Sequence, residues 1–425
     1  MPPAHTGGGP VSRTRPDRVA VVGAGIVGLS TAWFLQEHGA VVTVLDSTGV
    51  AAGASWGNAG WVTPGLAAPL PEPAVLRYGL RAALLPSSPV YVPPRADLGL
   101  LRFLARFVRN CTTARWRRAA SSLAELSRTA YQGYDVLMKG GVDSPVLDAA
   151  PLVAAYRTPA EAQTLLHEVD ALRANGLDVS AAMVSGAEAT ARVPLLSDAI
   201  GAAVLIGGQR YVDPAHFTAA LAKSVRARGG TVLTGLEVTR VHEDGVGVVV
   251  SGAAGPQRFD AVVLATGARL GALARPFGVR AVVQAGRGYS FSVAVSRAPT
   301  GPMYLPAQRV ACTPLAGRLR LAGMMEFRRP EDPLDPRRIA SIVDAVRPLV
   351  RGVELDDRRD EWVGSRPCTV DGLPLVGPTR SPRVVVAGGH GMWGVTLGPA
   401  TGMLLASYLA TGERAAALAP FDPLR

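Results

Sequence analysis

Residues 19–46 read VAVVGAGIVGLSTAWFLQEHGAVVTVLD, and the order of residue types in this stretch decides the fold. Val19–Val22 is an apolar run too short for a helix and rich in β-branched residues, which predicts a buried strand. Gly23, Gly25 and Gly28 follow in the pattern G-x-G-x-x-G, and Leu29 to Leu35 continues at helical spacing until Gly39 stops it. A second strand, Val41–Leu45, ends in Asp46. Each part has a mechanical reason. Gly23 permits the tight turn, Gly25 lets backbone approach a pyrophosphate, and Gly28 lets helix and strand pack closely. Ile26 and Val27 open the helix, whose unpaired N–H groups and partial positive charge attract phosphate. Asp46 stands where a carboxylate accepts hydrogen bonds from ribose hydroxyls. Strand, glycines, helix, strand and acid in register predict a dinucleotide site, which fits NAD and FAD alike.

A competing signal lies just downstream. Gly53-Ala54-Ser55-Trp56-Gly57 fits the G-x-S-x-G pattern of hydrolase nucleophiles, and Asp371 and His390 follow in the order Ser, Asp, His. That motif needs a strand directly before the serine and a helix directly after it. Here Ser47, Thr48 and Gly49 intervene before it, and Asn58, Gly60 and Pro64 follow, all turn formers. The elbow geometry is not available to Ser55.

At 425 residues the chain exceeds what one core usually serves, so two domains are expected. No stretch of about eighteen uninterrupted apolar residues predicts a spanning helix. Residues 1–17 are rich in Pro, Gly and Arg without an apolar segment, which reads as a disordered leader rather than a signal peptide. Cys111, Cys312 and Cys368 are far apart and the six histidines show no ligand spacing, so no metal site and no disulfide framework are expected, and a reducing cytoplasm suits them. The net charge of +11 rests almost wholly on arginine, since Lys139 and Lys223 are the only lysines. That bias, beside abundant Ala, Gly and Pro, reads as composition rather than as a nucleic-acid footprint.

Two later segments return to the nucleotide end. Phe259–Ala268 is a buried strand closing in Ala265-Thr266-Gly267, preceded by short strands at Thr231–Leu233, Val238–His242 and Val246–Val250. Near the end, Arg383–Ala387 is strand-like, Gly388–Gly394 is a glycine loop, and a helix is expected from Pro399 to about Leu409.

Taken together, these motifs resemble the FAD-dependent D-amino-acid oxidase superfamily. The resemblance rests on the fingerprint at 23–28, on Asn58-Ala59-Gly60-Trp61 with Pro64-Gly65, and on Ala265-Thr266-Gly267. Arg366-Pro367-Cys368-Thr369-Val370-Asp371-Gly372 and Gly389-His390-Gly391 carry it further. The Gly-Asn-Ala-Gly loop and Arg109-Asn110-Cys111 are similar to those of bacterial D-amino-acid dehydrogenases, and the likeness runs from about residue 18 to about 412.

The resemblance implies an α/β fold with a discontinuous Rossmann-like FAD-binding domain, 18–87, 206–274 and 361–425. A second, α+β substrate domain on a mainly antiparallel sheet would comprise 88–205 and 275–360. It implies FAD, held non-covalently, since Cys368 is not at the attachment position of relatives that link flavin to cysteine. The cofactor set is Gly23, Gly25, Ile26, Val27, Gly28, Asp46, Ser55, Asn58, Gly60, Val238, Gly267, Gly389, Gly391, Gly394 and Thr396. Ser55 thereby becomes a cofactor-loop residue. The catalytic set is Arg287, Tyr289, Arg366 and His390, with no metal.

The implied reaction is oxidation of a D-amino acid by hydride transfer from the α-carbon to flavin N5, then hydrolysis of the imine to a 2-oxo acid and ammonia. A planar guanidinium suits the substrate carboxylate. Relatives carry an arginine where this chain has Pro314, which leaves Arg366 as the alternative clamp and keeps open an enzyme of glycine or of secondary amines such as sarcosine, D-proline or D-hydroxyproline. Glu326 is a candidate for the substrate ammonium. Neither lysine falls in a flavin-facing motif, which favours a quinone or carrier over oxygen as electron acceptor. Asp97 to Lys139 reads as helical, with Arg102, Arg106 and Arg109 opposite Leu100, Leu101, Leu104, Phe107 and Val108. Such a helix has two readings: peripheral on the inner face of a membrane, or simply a solvated face.

Overall fold

The strand and helix alternation of the first segment, completed by the two later returns, closes into a six-stranded sheet. Its order is Thr231–Leu233, Val41–Leu45, Arg18–Val22, Ala261–Leu264, Val384–Gly388, Leu375–Pro378, and all pairs are parallel except the last. The computed structural model describes residues 15–73, 85, 88–94 and 97–425. The leader expected at 1–17 thus lies outside the described residues up to position 14, as does the domain break expected at 87. Asp17 is already tied in, its amide donating to Asp260 Oδ2 at 3.0 Å and its carbonyl accepting from Val41 at 2.7 Å.

One face of this sheet is covered by the helices Ile26–Glu37, Pro214–Ala227 and Gly394–Thr411, the other by the strands Val238–Glu243, Val248–Gly252 and Gln257–Phe259 with the short helix Leu270–Ala274. The helices Thr113–Ser127 and Ala130–Lys139, grouped by sequence with the substrate domain, bury Leu123, Leu126, Tyr134 and Leu137 in this same nucleotide-layer core. Their apolar stripe finds its cover on the carboxy-terminal helix rather than on the neighbouring strands.

That last helix corrects an expectation. It begins at Gly394, with Pro399 inside it. Proline has no N–H, so the carbonyl of Val395 loses its usual partner. The hydroxyl of buried Tyr134 donates to that oxygen at 2.7 Å, which lets the helix run through the proline.

The second sheet has nine strands, in the order Val353–Thr369, Val283–Val295, Arg318–Phe327, Val310–Leu315, Met303–Leu305, Leu152–Tyr156, Ala202–Ile206, Ala181–Ser185, with Val90–Tyr91 beside Arg318–Phe327. Pairing is antiparallel except at Met303–Leu305 with Leu152–Tyr156 and at Val90–Tyr91. One face packs Tyr289, Phe291 and Leu321 against the helix Pro336–Val346 through Ile339 and Ile342. Val353–Thr369 runs unbroken through 360/361, where the sequence reading placed a domain boundary. Arg318–Phe327 continues past Gly323 through a bulge.

The helical stretch 97–139 is three helices, the first being Leu98–Asn110. Leu100, Phe103 and Phe107 form its buried stripe, whereas Leu101 and Val108 are 54% and 45% exposed and stand on the same side as Arg102, Arg106 and Arg109. A period of 3.6 explains the correction: 101 and 108 lie seven residues apart and share a face that misses the stripe.

Candidate cofactor and substrate site

Gly23 has φ +117°, and a Cβ there would sit 2.3 Å from the carbonyl oxygen of Ala265. Only glycine allows the turn to lie so close to the end of the neighbouring strand Ala261–Leu264. A Cβ at Gly28 would sit 2.0 Å from the oxygen of Gly23, so the helix also packs onto its own turn. The helix consequently starts at Ile26 with Gly25 as its N-cap and no side-chain cap from that residue. Ser55 supplies the missing acceptor, its Oγ taking the Ile26 amide at 3.1 Å. The hydrolase-like serine therefore braces the fingerprint helix. Asp46 accepts from Ala24 at 2.8 Å through Oδ2, and from Thr48 and Gly49 at 2.8 and 3.0 Å through Oδ1. A carboxylate has about four acceptor sites, so it ties the two turns together and keeps capacity for a hydroxyl.

A cavity of about 1110 Å³ opens in front of these groups. Gly23, Gly25, Ile26, Val27, Gly28 and Asp46 line one end, Ser55, Asn58, Val238 and Gly267 the middle, and Arg366, His390, Gly391 and Gly394 the far wall. Its volume exceeds the ~300–1,000 Å³ of pockets for single drug-sized ligands, so an extended dinucleotide and a small substrate fit together.

Five of the named residues lie outside that lining for identifiable reasons. Gly60, at φ +80°, lets the chain pass the carbonyl of Val212, which a Cβ would approach to 2.1 Å. Gly389 turns the chain past Thr369 and Leu375. Thr396 donates to the Trp61 carbonyl at 2.9 Å, joining the last helix to the short strand Trp61–Val62. Tyr289 is fully buried on the far side of the second sheet, donating to Glu326 Oε2 at 2.6 Å, and burial followed by that bond pushes its hydroxyl pKa up. Arg287 shares this fate: it is 1% exposed, bonded to the carbonyls of Asp332 and Pro333 and 3.9 Å from Glu326. Glu326, 0% exposed and also 2.7 Å from Arg328, is closed to a substrate ammonium. Arg287 and Tyr289, expected to face the cofactor, and Glu326, expected at the substrate ammonium, form a buried charge cluster behind the sheet.

Arg366 is on the cavity side. Its Nη1 donates to the Met324 carbonyl at 2.6 Å, and burial lowers its pKa from the ordinary arginine value, opposed only by Cys368. His390 lines the cavity but is 3% exposed, with Nε2 2.9 Å from Thr401 Oγ1, and burial lowers the imidazole to about 4. It is neutral at physiological pH, so positive potential at this wall comes from backbone amides at the Gly394 helix start and from Arg366. Pro314 lies in the strand Val310–Leu315, opposite Leu319. Cys368 is 1% exposed and burial pushes its thiol up to about 12, which suits a packed thiol rather than an attachment point. No group of three or more His, Cys, Asp and Glu side chains among the described residues could hold a metal.

The profile of the FAD dependent oxidoreductase family matches residues 18–408. The chain belongs to that family. It is an enzyme whose cofactor is FAD, and the helix amides, the Asp46 carboxylate and the length of the cavity fit the diphosphate, ribose and extent of that molecule. Among similar proteins, a D-amino acid dehydrogenase of Azorhizobium caulinodans is 29% identical over 406 residues, covering 92% of this chain and 95% of that protein. A D-amino acid dehydrogenase of Phenylobacterium zucineum is 31% identical over 422 residues, covering 94% and 95%. The fold is that of glycine oxidase from Geobacillus kaustophilus, with TM-score 0.73 at 22% identity over 97% of this chain and 99% of that one.

The FAD cavity also has walls that the sequence reading did not single out. Arg269 and Arg275 line it, as do Thr48 and Glu237. Arg269 stands two residues past Ala265-Thr266-Gly267, but in a chain this rich in arginine nothing local separates it from its neighbours. Among the described residues no helix is long and apolar enough to cross a membrane.

Proposed function

We propose that the protein oxidises the Cα–N bond of D-amino acids, giving an imine that water converts to a 2-oxo acid and ammonia. The observation that carries this reading is Arg366, a guanidinium on the wall of the FAD cavity whose only bond to a neighbouring group, among the described residues, is to a carbonyl and a thioether. A planar, permanently charged group in such a place is matched by a substrate carboxylate through paired hydrogen bonds. FAD, when bound, supplies the acceptor for the hydride leaving the α-carbon. The chain supplies orientation: Arg366 fixes the carboxylate, and the amides at the start of Gly394–Thr411 stabilise negative charge at the far wall. Neutral His390 shapes that wall through Thr401 and takes no proton. In this reading the six-stranded layer holds the cofactor and the nine-stranded sheet the substrate, and FAD is held without a covalent bond. The names of the relatives support the D-configuration.

Electrons leave, on this proposal, to a quinone or carrier. The helix Leu98–Asn110 exposes Leu98, Leu101 and Val108 beside Arg102, Arg106 and Arg109, a composition suited to an anionic membrane surface. The test is anaerobic titration of the yellow holoenzyme with matched D- and L-amino acids, sarcosine and D-proline. Bleaching by primary D-amino acids alone is the expected result. Bleaching confined to secondary amines, or none by any amine, overturns the substrate assignment.

A further inference from the structure

What holds the Arg366 head group is backbone from two neighbouring strands. Between Val283–Val295 and Arg318–Phe327, Arg287 pairs with Glu326 but Tyr289 pairs with Gly323, so Met324 and Met325 together stand opposite Gly288. This is a bulge, an extra residue that bends one strand and re-aims its groups. Met324 takes φ +64°, a left-handed conformation disfavoured for any residue with a Cβ, and its carbonyl accepts from Arg366 Nη1 at 2.6 Å. On the other side Gly288 pairs with Gly364. A Cβ at 288 would stand 2.2 Å from Arg366 Cζ, so the guanidinium lies against bare backbone. Glycine weakens a strand interior and marks a close approach; here the approaching group is the arginine.

We propose that Gly288 and the bulged Met324 carbonyl are positioning elements that seat the Arg366 guanidinium against the sheet, so that its remaining donors meet a substrate carboxylate as a two-point clamp. The inference rests on Arg366 being the carboxylate-binding residue. Nη1 is spent on the Met324 carbonyl and the Met325 thioether, and three of the five donor hydrogens, on Nη2 and Nε, remain. Without the seat a flexible arginine samples many rotamers, and paired hydrogen bonds to a carboxylate require one of them.

The test is the dissociation constant of pyruvate, a 2-oxo acid that oxidised flavin does not turn over, read from the visible spectrum of the holoenzyme. Four chains are compared: wild type, Gly288→Ala, Arg366→Ala and the double variant, with FAD content and Tm recorded for each. Arg366→Ala is expected to weaken pyruvate by at least 30-fold. Gly288→Ala is expected to weaken it by at least ten-fold in the wild-type background and by less than two-fold beside Arg366→Ala, because its effect passes through the arginine. A change below two-fold in Arg366→Ala overturns the clamp itself. A large loss there, with Gly288→Ala neutral or equally costly in both backgrounds, overturns the seat alone. Arg366→Lys keeps residue 288 intact and serves if the alanine chain does not fold. A lysine on the same carbonyl keeps its charge but loses the paired donors, so pyruvate should weaken nearly as far as in Arg366→Ala; binding within two-fold of wild type overturns the seat.

Discussion

Arg287 and Arg366 stand on paired strands one residue out of register, Arg287 opposite Ser365 and Arg366 opposite Gly286. Side chains alternate along a strand, so that single step puts the two on opposite faces. Behind the sheet, Arg287 is 1% exposed and enclosed by Glu326, Tyr289 and two carbonyls. In front, Arg366 lines the cavity, bonded to one carbonyl. Residue type is the same and the ladder is the same. The face decides which arginine holds the fold together and which is available to a ligand.

The largest effect should come from the rear face. Arg287→Ala leaves a buried carboxylate short of a partner, a loss of about 3 kcal/mol for a broken buried pair, read as a lower urea midpoint with KM changed less than two-fold. An unchanged midpoint with a ten-fold rise in KM would reverse the two faces. The next effect sharpens what a buried group at the front does. His390 has an ordinary value of 6.5 lowered by burial to about 4, so the unfolded chain binds more protons between those values. Stability is fully present above about pH 6.5 and falls as pH drops toward 4, by up to about 3 kcal/mol at ~1.4 kcal/mol per unit. His390→Asn should flatten that slope in thermal melts taken across the window; an unaltered slope would mean that the imidazole is solvated.

Arg366→Ala should raise KM about 100-fold, equivalent to roughly 2.7 kcal/mol, while the urea midpoint moves little. Equal loss of FAD and of substrate binding would recast it as a cofactor residue. The smallest effect belongs to Ser55→Ala, which removes the acceptor of the Ile26 amide and costs about 1 kcal/mol. FAD content should fall only several-fold, and a fluorophosphonate should label neither chain.

The nucleotide end was legible because its constraints are local. Gly23, Gly28 and Asp46 act through backbone groups a few residues away or on the adjacent strand, and the strand and glycine pattern states that geometry directly. Arg287 and Tyr289 were misplaced because the pairing of their strand with Val353–Thr369 sets their face, and Glu326 because one bulge at Met324 sets its own; nothing in Gly286-Arg287-Gly288-Tyr289 announces either. The helix start at Gly394 was missed for a similar reason: Pro399 reads as a first turn, and the hydroxyl that satisfies Val395 comes from Tyr134, far away in the chain.

The sequence by itself determined a dinucleotide cradle, two returns of the chain to it, and the arginine at 366 as a candidate clamp. Glycine spacing and strand period are properties of neighbouring residues, so they can be read in one dimension. Tertiary structure alone decided that Ser55 braces a helix, that His390 is neutral, and that Arg366 lines the cavity while Arg287 lies buried beside Glu326. Those outcomes depend on burial and on partners brought together from distant positions, and charge, protonation and access are set by that packing.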